Sequence, residues 1–264
     1  MTYDLLEVTV PVAPLRAEPS DRSEMVSQML AGERCKLLQR GEKDWIQVEL
    51  VADSYRGWCD SKQLTAWSSE KEQTSSCHFV LMQAPISFWL LQEGAQCVIP
   101  AGARLACDLN GSWWLGSQRL EPLTALDACF TPCASPLEAA LNFLGAPYLW
   151  GGKTTLGIDC SGLIQLAFTL CGKHLPRDAS AQVSCGAAVA WESRAPGDLA
   201  FFSNEQGAVV HVGILASDQT ILHAAGEVRL DRLDAQGIQK EGLHTHQLHS
   251  MRRVGESGSA QVEL

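Results

Sequence analysis

The sequence predicts an α+β fold: two small all-β barrels, then a domain that opens with helices and closes with an antiparallel sheet. Three observations lead there. Residues 1–67 and 74–126 both read as short apolar strands broken by Gly- and Pro-containing turns. At Pro132 the pattern changes to helical spacing. Beyond Gly172 it changes again, to strands rich in Val, Ile, Leu and Phe.

In the first segment, Val8-Thr9-Val10-Pro11-Val12 opens an extended run that Pro14, Pro19 and Ser20-Asp21 interrupt. Cys35-Lys36-Leu37-Leu38 and Trp45-Ile46-Gln47-Val48-Glu49-Leu50 have strand character. The polar stretch 68–76 reads as a linker. The second segment repeats the style through Phe79-Val80-Leu81-Met82, Cys97-Val98-Ile99 and Trp113-Trp114-Leu115. The tryptophan pair is expected in a barrel core. Residues 132–254 form the third domain. Ser135-Pro136-Leu137-Glu138 is an N-cap, a proline at the first helical position and an acidic first turn, with Gly145 as the stop. Cys160 to Cys171 is a second helix, ended by Gly172. Strands follow at 198–202, 209–215 and 220–224, and residues 255–264 read as a tail.

Composition bounds the function. The 264 residues are 46% hydrophobic and 19% charged, with a net charge of -10, which argues against a nucleic-acid partner. No apolar run reaches the roughly 20 residues that span a bilayer, so no membrane partner is expected. The N-terminus has neither a basic region nor a long apolar stretch, and a cytoplasmic location is expected. Ten cysteines lie singly along the chain, with no CxxC pair. They are expected as reduced, buried small hydrophobes.

The chemistry concentrates in Tyr148-Leu149-Trp150-Gly151-Gly152 and Gly157-Ile158-Asp159-Cys160-Ser161-Gly162. Cys160 falls at the first turn of a helix, where unpaired N–H groups favour a thiolate. Its thiol pKa is therefore expected below the ordinary value of about 8.5. His211 lies in an apolar strand, and His223 follows on the next. Adjacent antiparallel strands would place the two imidazoles together, giving a nucleophile, a base and an orienting group. Cys129/Cys133 and His244/His246/His249 match no zinc spacing and are expected as solvated loop and tail residues; no metal or cofactor is expected.

The stretches Pro147 to Gly152, Asp159 to Gly162, Pro196-Gly197-Asp198-Leu199, His211 to Ile214 and Ile221 to Ala224 together resemble the NlpC/P60 cysteine peptidases, which have a papain-like fold and cleave cell-wall peptides. The first two segments resemble bacterial SH3 (SH3b) domains, the first through Gly32-Glu33, Trp45 and Tyr55-Arg56-Gly57-Trp58. This combination is similar to γ-D-glutamyl-L-diamino acid endopeptidases. The resemblance implies Cys160 as nucleophile, His211 as base and His223 as orienter. It implies a murein tripeptide or tetrapeptide, L-Ala-γ-D-Glu-diamino acid, as substrate, in recycling of wall peptides. Tyr148, Trp150, Asp159 and Ser161 become substrate-binding candidates. Leu175-Pro176-Arg177-Asp178 matches a recognition segment, in which Asp178 would bind the ammonium of a free L-Ala and Arg177 would flank it. Ala179 stands where a serine is common. Glu24 and Tyr55 are the candidates from the first barrel. Two other readings stay open: a binding module with a weak or inactive catalytic domain, and an amidase or acyltransferase of related architecture.

Overall fold

The computed structural model describes residues 4–67 and 77–255. The linker at 68–76 and the tail beyond Gly255 lie outside the described residues. The chain divides into two compact units. One is Met1–Pro132 with Trp150–Thr155, and the other is Cys133–Leu149 with Leu156–Leu264.

The first unit holds two antiparallel sheets. Strands β1 (Leu5–Val8), β2 (Val12–Arg16), β3 (Met25–Leu30), β4 (Arg34–Arg40), β5 (Trp45–Leu50), β6 (Arg56–Asp60) and β7 (Leu64–Ala66) pair in the order β3-β2-β6-β5-β4-β1-β7. Alternation on β5 sends Ile46, Val48 and Leu50 inward, against Val8, Leu15, Met29, Cys35 and Cys59. The second sheet comprises β8 (Cys77–Leu81), β9 (Ile86–Leu91), β10 (Gln96–Pro100), β11 (Arg104–Asp108), β12 (Trp113–Leu115) and β13 (Gln118–Pro122), in the order β10-β9-β13-β12-β11-β8. A short helix, α1 (Leu126–Phe130), supplies Phe130, whose ring stacks on Trp113 with centroids 4.7 Å apart. Trp113 also meets Trp89 edge-on. The expected tryptophan pair therefore splits. Neighbours on a strand face opposite ways, so Trp113 fills the core while Trp114 turns outward and donates its indole N–H to Asp108 at 3.2 Å.

The two sheets touch through backbone. Arg104 donates its N–H to the Ala31 carbonyl at 2.8 Å. Gly32 makes this approach possible: its φ is +74°, and a Cβ there would lie 1.8 Å from the Arg104 carbonyl oxygen. Strand β14 (Lys153–Thr154) also belongs to this unit.

The second unit begins with α2 (Pro136–Leu141), capped as its sequence predicts: the Ser135 hydroxyl accepts from the Glu138 N–H at 3.2 Å, with Pro136 at the first position. After β15 (Gly157–Ile158) comes α3 (Cys160–Leu170). Every residue of α3 from Cys160 to Phe168 is buried, because α2, β18 and β19 all pack against it. Its end is a Schellman turn: Lys173 donates to Phe168, Gly172 to Thr169, and Gly172 takes φ +71°. Helix α4 (Ala179–Gln182) and strand β16 (Ala187–Ala188) lead to β17 (Leu199–Ser203), β18 (Val209–Leu215), β19 (Thr220–Ala225), β20 (Glu227–Leu233), β21 (Gly237–Lys240) and β22 (Leu243–Arg253). The order is β16-β22-β17-β18-β19-β20-β21, and β22 also pairs with β21, so the sheet closes on itself.

Strands β20 to β22 carry no clear signal in the sequence. Only Val228 and Leu233 of β20, and only Met251 of β22, are buried, so charged and His side chains dominate both strands. In consequence His244, His246 and His249 are not tail residues but part of a paired strand.

Gly32→Ala is expected to destabilise the first unit by about 1–3 kcal/mol, since it combines a positive φ with a backbone clash. Chemical denaturation of the full chain measures this. An unchanged midpoint would contradict the account.

Candidate active site

The start of α3 is fixed from below. Asp159 is the N-cap, accepting from the Gly162 N–H at 2.6 Å. Both its oxygens are also held by Arg177, at 2.9 and 2.6 Å. Arg177 further donates to the Ser161 hydroxyl at 2.9 Å. All three side chains are buried, and Arg177 is only 2% exposed. A fork-shaped cation on a carboxylate is strong here because water is absent. Arg177, Asp159 and Ser161 therefore brace the helix from its buried side. Arg177, expected to flank an ammonium pocket, holds Asp159 and Ser161 with its guanidinium. Asp178 follows as the exposed N-cap of α4.

Cys160 occupies the first position of α3 and is 6% exposed. The backbone N–H groups of Val212 on β18 and of Ser161 on α3 favour its thiolate. The expectation of a lowered thiol pKa is overturned. Burial and the neighbouring Asp159 carboxylate push it up to about 11, against the pull of the two N–H groups and Arg177. The helix N-terminus does act on the sulfur, but desolvation outweighs it.

His211 lies on β18, one residue before Val212, and His223 on β19. The strands pair through Ile214↔Leu222 and Leu215↔Ile221. Gly213 lets them close: a Cβ there would sit 2.7 Å from Ile221 and 2.9 Å from the Leu222 carbonyl. The rings meet at 2.8 Å between His211 Nε2 and His223 Nδ1. His223 Nε2 in turn lies 2.9 Å from Asp231 Oδ2 on β20, and Arg229 Nε donates to that same oxygen at 2.8 Å. Burial, reinforced by the charges of His246, His223 and Arg229, holds His211 well below the usual imidazole range. Burial also lowers His223, to about 4, although Asp231 pulls the other way. Both rings are neutral near pH 7.

A cleft of about 200 Å³ opens beside these groups, lined by Tyr148, His211, Ala224, Ala225, Gly226 and His246. Tyr148 is held by backbone: its N–H donates to Gly226 at 2.8 Å. Burial and the nearby Cys160 raise its phenol to about 12. His246 stacks on His211 with centroids 4.4 Å apart and planes 30° from parallel. It is half-buried at the site, not solvated as its sequence context suggested, because pairing of β22 with β17 and β21 carries it there.

The remaining candidates lie in the first unit. Trp150, 59% exposed, donates its indole N–H to Glu24 at 2.6 Å. Lys153 donates its backbone N–H to Gln28 at 2.7 Å and its ammonium to Glu33 at 3.2 Å. Tyr55 is half-buried against the core of the first sheet.

Asp231, Arg229 and His246 are the site residues that the sequence reading missed. For the first two a signal exists. Ala224-Ala225-Gly226-Glu227 forms a hairpin, which sets His223 opposite Arg229 and Ile221 opposite Asp231. His246 has none, since its position depends on long-range pairing.

A thiol at about 11 is ionised to roughly one part in a thousand at pH 8. Raising the pH increases the thiolate fraction about tenfold per unit until that value is passed. Alkylation of Cys160 by iodoacetamide, followed by peptide mass mapping, is therefore expected to accelerate steadily from about pH 6 to pH 9. A rate that levels off below pH 7 would mean a preformed thiolate and contradict this.

Residues 145–247 match the NlpC/P60 family, and residues 15–64 match the bacterial dipeptidyl-peptidase Sh3 domain. The chain is 27% identical over 216 residues to the gamma-D-glutamyl-L-lysine dipeptidyl-peptidase of Bacillus subtilis (strain 168), covering 75% of this chain and 71% of that protein. It is 28% identical over 252 residues to dipeptidyl-peptidase 6 of Lysinibacillus sphaericus, covering 85% and 90%. Among solved structures, an NlpC/P60 family protein from Bacillus cereus ATCC 10987 superposes with a TM-score of 0.74 at 22% identity, over 94% of this chain and 99% of that one, and so shares its fold. The chain thus carries an NlpC/P60-type segment at residues 145–247 behind a bacterial SH3-type segment at residues 15–64, and the match supports a peptidase.

Proposed function

We propose that this protein is a cysteine peptidase that hydrolyses the bond between γ-D-Glu and an L-diamino acid in murein peptides bearing a free N-terminal L-Ala. The observation that supports the reading most directly is the pairing of His211 Nε2 with His223 Nδ1 at 2.8 Å, on the strand whose next residue, Val212, turns its N–H to favour the Cys160 thiolate. The names of the relatives from Bacillus subtilis and Lysinibacillus sphaericus support the substrate class.

In this reading Cys160 is the nucleophile, His211 the base and His223 its orienter. The resting pair is a neutral thiol and a neutral imidazole, so attack is base-assisted. As the sulfur bonds to the γ-carbonyl carbon, the thiol proton passes to His211. The backbone N–H of Cys160 at the helix start stabilises the oxyanion. His211 returns the proton to the leaving amine of the diamino acid, and a thioester remains. Water then attacks the thioester with His211 again as base, the C–S bond breaks, the sulfur takes the proton back from His211, and L-Ala-γ-D-Glu departs. Tyr148 borders the substrate cleft. Asp178 pairs with the ammonium of L-Ala. The substrate in this reading is a short soluble peptide, released in recycling of wall fragments in the cytoplasm. The diamino acid is meso-diaminopimelate or L-Lys.

The raised thiol pKa favours a second reading, an SH3-type module that binds wall peptide beside a slow catalytic domain. Turnover of L-Ala-γ-D-Glu-meso-diaminopimelate separates the two. Wild-type protein is expected to release the diamino acid, and Cys160→Ala to lose at least about 1,000-fold in kcat while still folding. N-acetylation of the L-Ala should cost at least about tenfold in kcat/KM by leaving the acidic pocket unpaired. Binding without turnover by the wild type would favour the second reading, and hydrolysis by Cys160→Ala would end the first.

A further inference from the structure

The chain of polar contacts does not stop at His223. Its Nε2 lies 2.9 Å from Asp231 Oδ2, which also takes the Nε–H of Arg229. Arg229 is itself fixed, with a second nitrogen donating to the Ala225 carbonyl. Burial pushes the Asp231 carboxyl up, but the hydrogen bonds from Arg229 and His223 outweigh it and hold the carboxyl below its usual value. Asp231 is thus an ionised carboxylate, and it has no proton to give.

That fact propagates. Facing an acceptor, His223 Nε2 must carry its proton. In a neutral imidazole the other nitrogen is then bare, so His223 Nδ1 is an acceptor. His211 Nε2, 2.8 Å away, must therefore be the donor, which strips the proton from His211 Nδ1. The opposite assignment would set a bare His223 Nε2 against a carboxylate oxygen at 2.9 Å, lone pair to lone pair. It would also leave His211 Nδ1 protonated and unable to act as a base. The plane of His211 is set separately, by His246 stacked on it and by Phe202, whose ring centroid is 5.8 Å away.

We propose that Asp231 is a positioning residue for the hydrolysis proposed above: through His223 it fixes the tautomer of both imidazoles and leaves His211 Nδ1 as the proton acceptor of the site. The inference rests on that reading of Cys160 and His211 for its kinetic consequences, but not for its tautomers. Asp231 also favours, at one remove, the imidazolium that forms on His211 during attack.

The test uses the full chain. Nitrogen-15 NMR of the wild type is expected to find His211 and His223 both protonated on Nε2 and bare on Nδ1. Asp231→Ala should mix the tautomers and lower kcat about 10- to 100-fold, with KM within about twofold. Asp231→Asn keeps an oxygen that accepts from His223, so it should recover most of the lost kcat. A His223 protonated on Nδ1 in the wild type would overturn the proposal, as would wild-type kcat in Asp231→Ala. Should Asp231→Ala not fold, the wild-type spectrum and Asp231→Asn still decide. Hydrolysis surviving in Cys160→Ala would instead defeat the proposed function while leaving the tautomer assignment standing.

Discussion

Two imidazoles buried side by side set the terms for everything around them. His223 is fully buried, and His211 is nearly so at the edge of the cleft. Both nitrogens of His223 are met by protein, and Nε2 of His211 by His223, which leaves only His211 Nδ1 to the site. The register of β18 against β19, made close by Gly213, gives them to one another. The hairpin from β19 to β20 then delivers the carboxylate that ends the series. Rotating either ring would orphan a buried nitrogen. Such a network is rigid because a half-satisfied state is costly.

A second buried network anchors Cys160, the nucleophile of the proposed reaction. Asp159 caps α3 and is gripped by Arg177, which also holds Ser161. Removing one partner of such a pair costs about 3–5 kcal/mol, because the remaining charge keeps its burial and loses its compensation. The position of Cys160 is therefore set by a charge pair beneath the helix and by the β18 backbone in front of it. Its burial has an electrostatic consequence. Burial keeps the thiol protonated and His211 neutral, so the proposed attack depends on geometry and not on prior ionisation.

Much of this was legible in the sequence, for reasons that differ by residue. Caps and stops are local chemistry, so Ser135-Pro136 marked the start of the first helix and Gly172 the end of the second. The pairing of His211 with His223 followed from two apolar strands close in sequence. What stayed hidden depends on distant pairing or on burial. Strands β20 and β22 bury few apolar side chains, so their apolar pattern is faint. His246 reaches His211 only because β22 pairs with two other strands. The thiol pKa was misjudged because a helix start is visible in a sequence, whereas the degree of desolvation is not. Arg177 read as a group beside a pocket, yet the carboxylate it pairs with lies 18 residues earlier in the chain.

The central claim is that Cys160 carries the acyl group. Acid-quenched mass spectrometry during turnover of L-Ala-γ-D-Glu-meso-diaminopimelate tests it most directly. The account predicts a transient adduct on the peptide containing Cys160, equal in mass to L-Ala-γ-D-Glu less one water and labile to hydroxylamine as a thioester is. Release of the diamino acid with the adduct on a different cysteine, or with full turnover in Cys160→Ala, would contradict it.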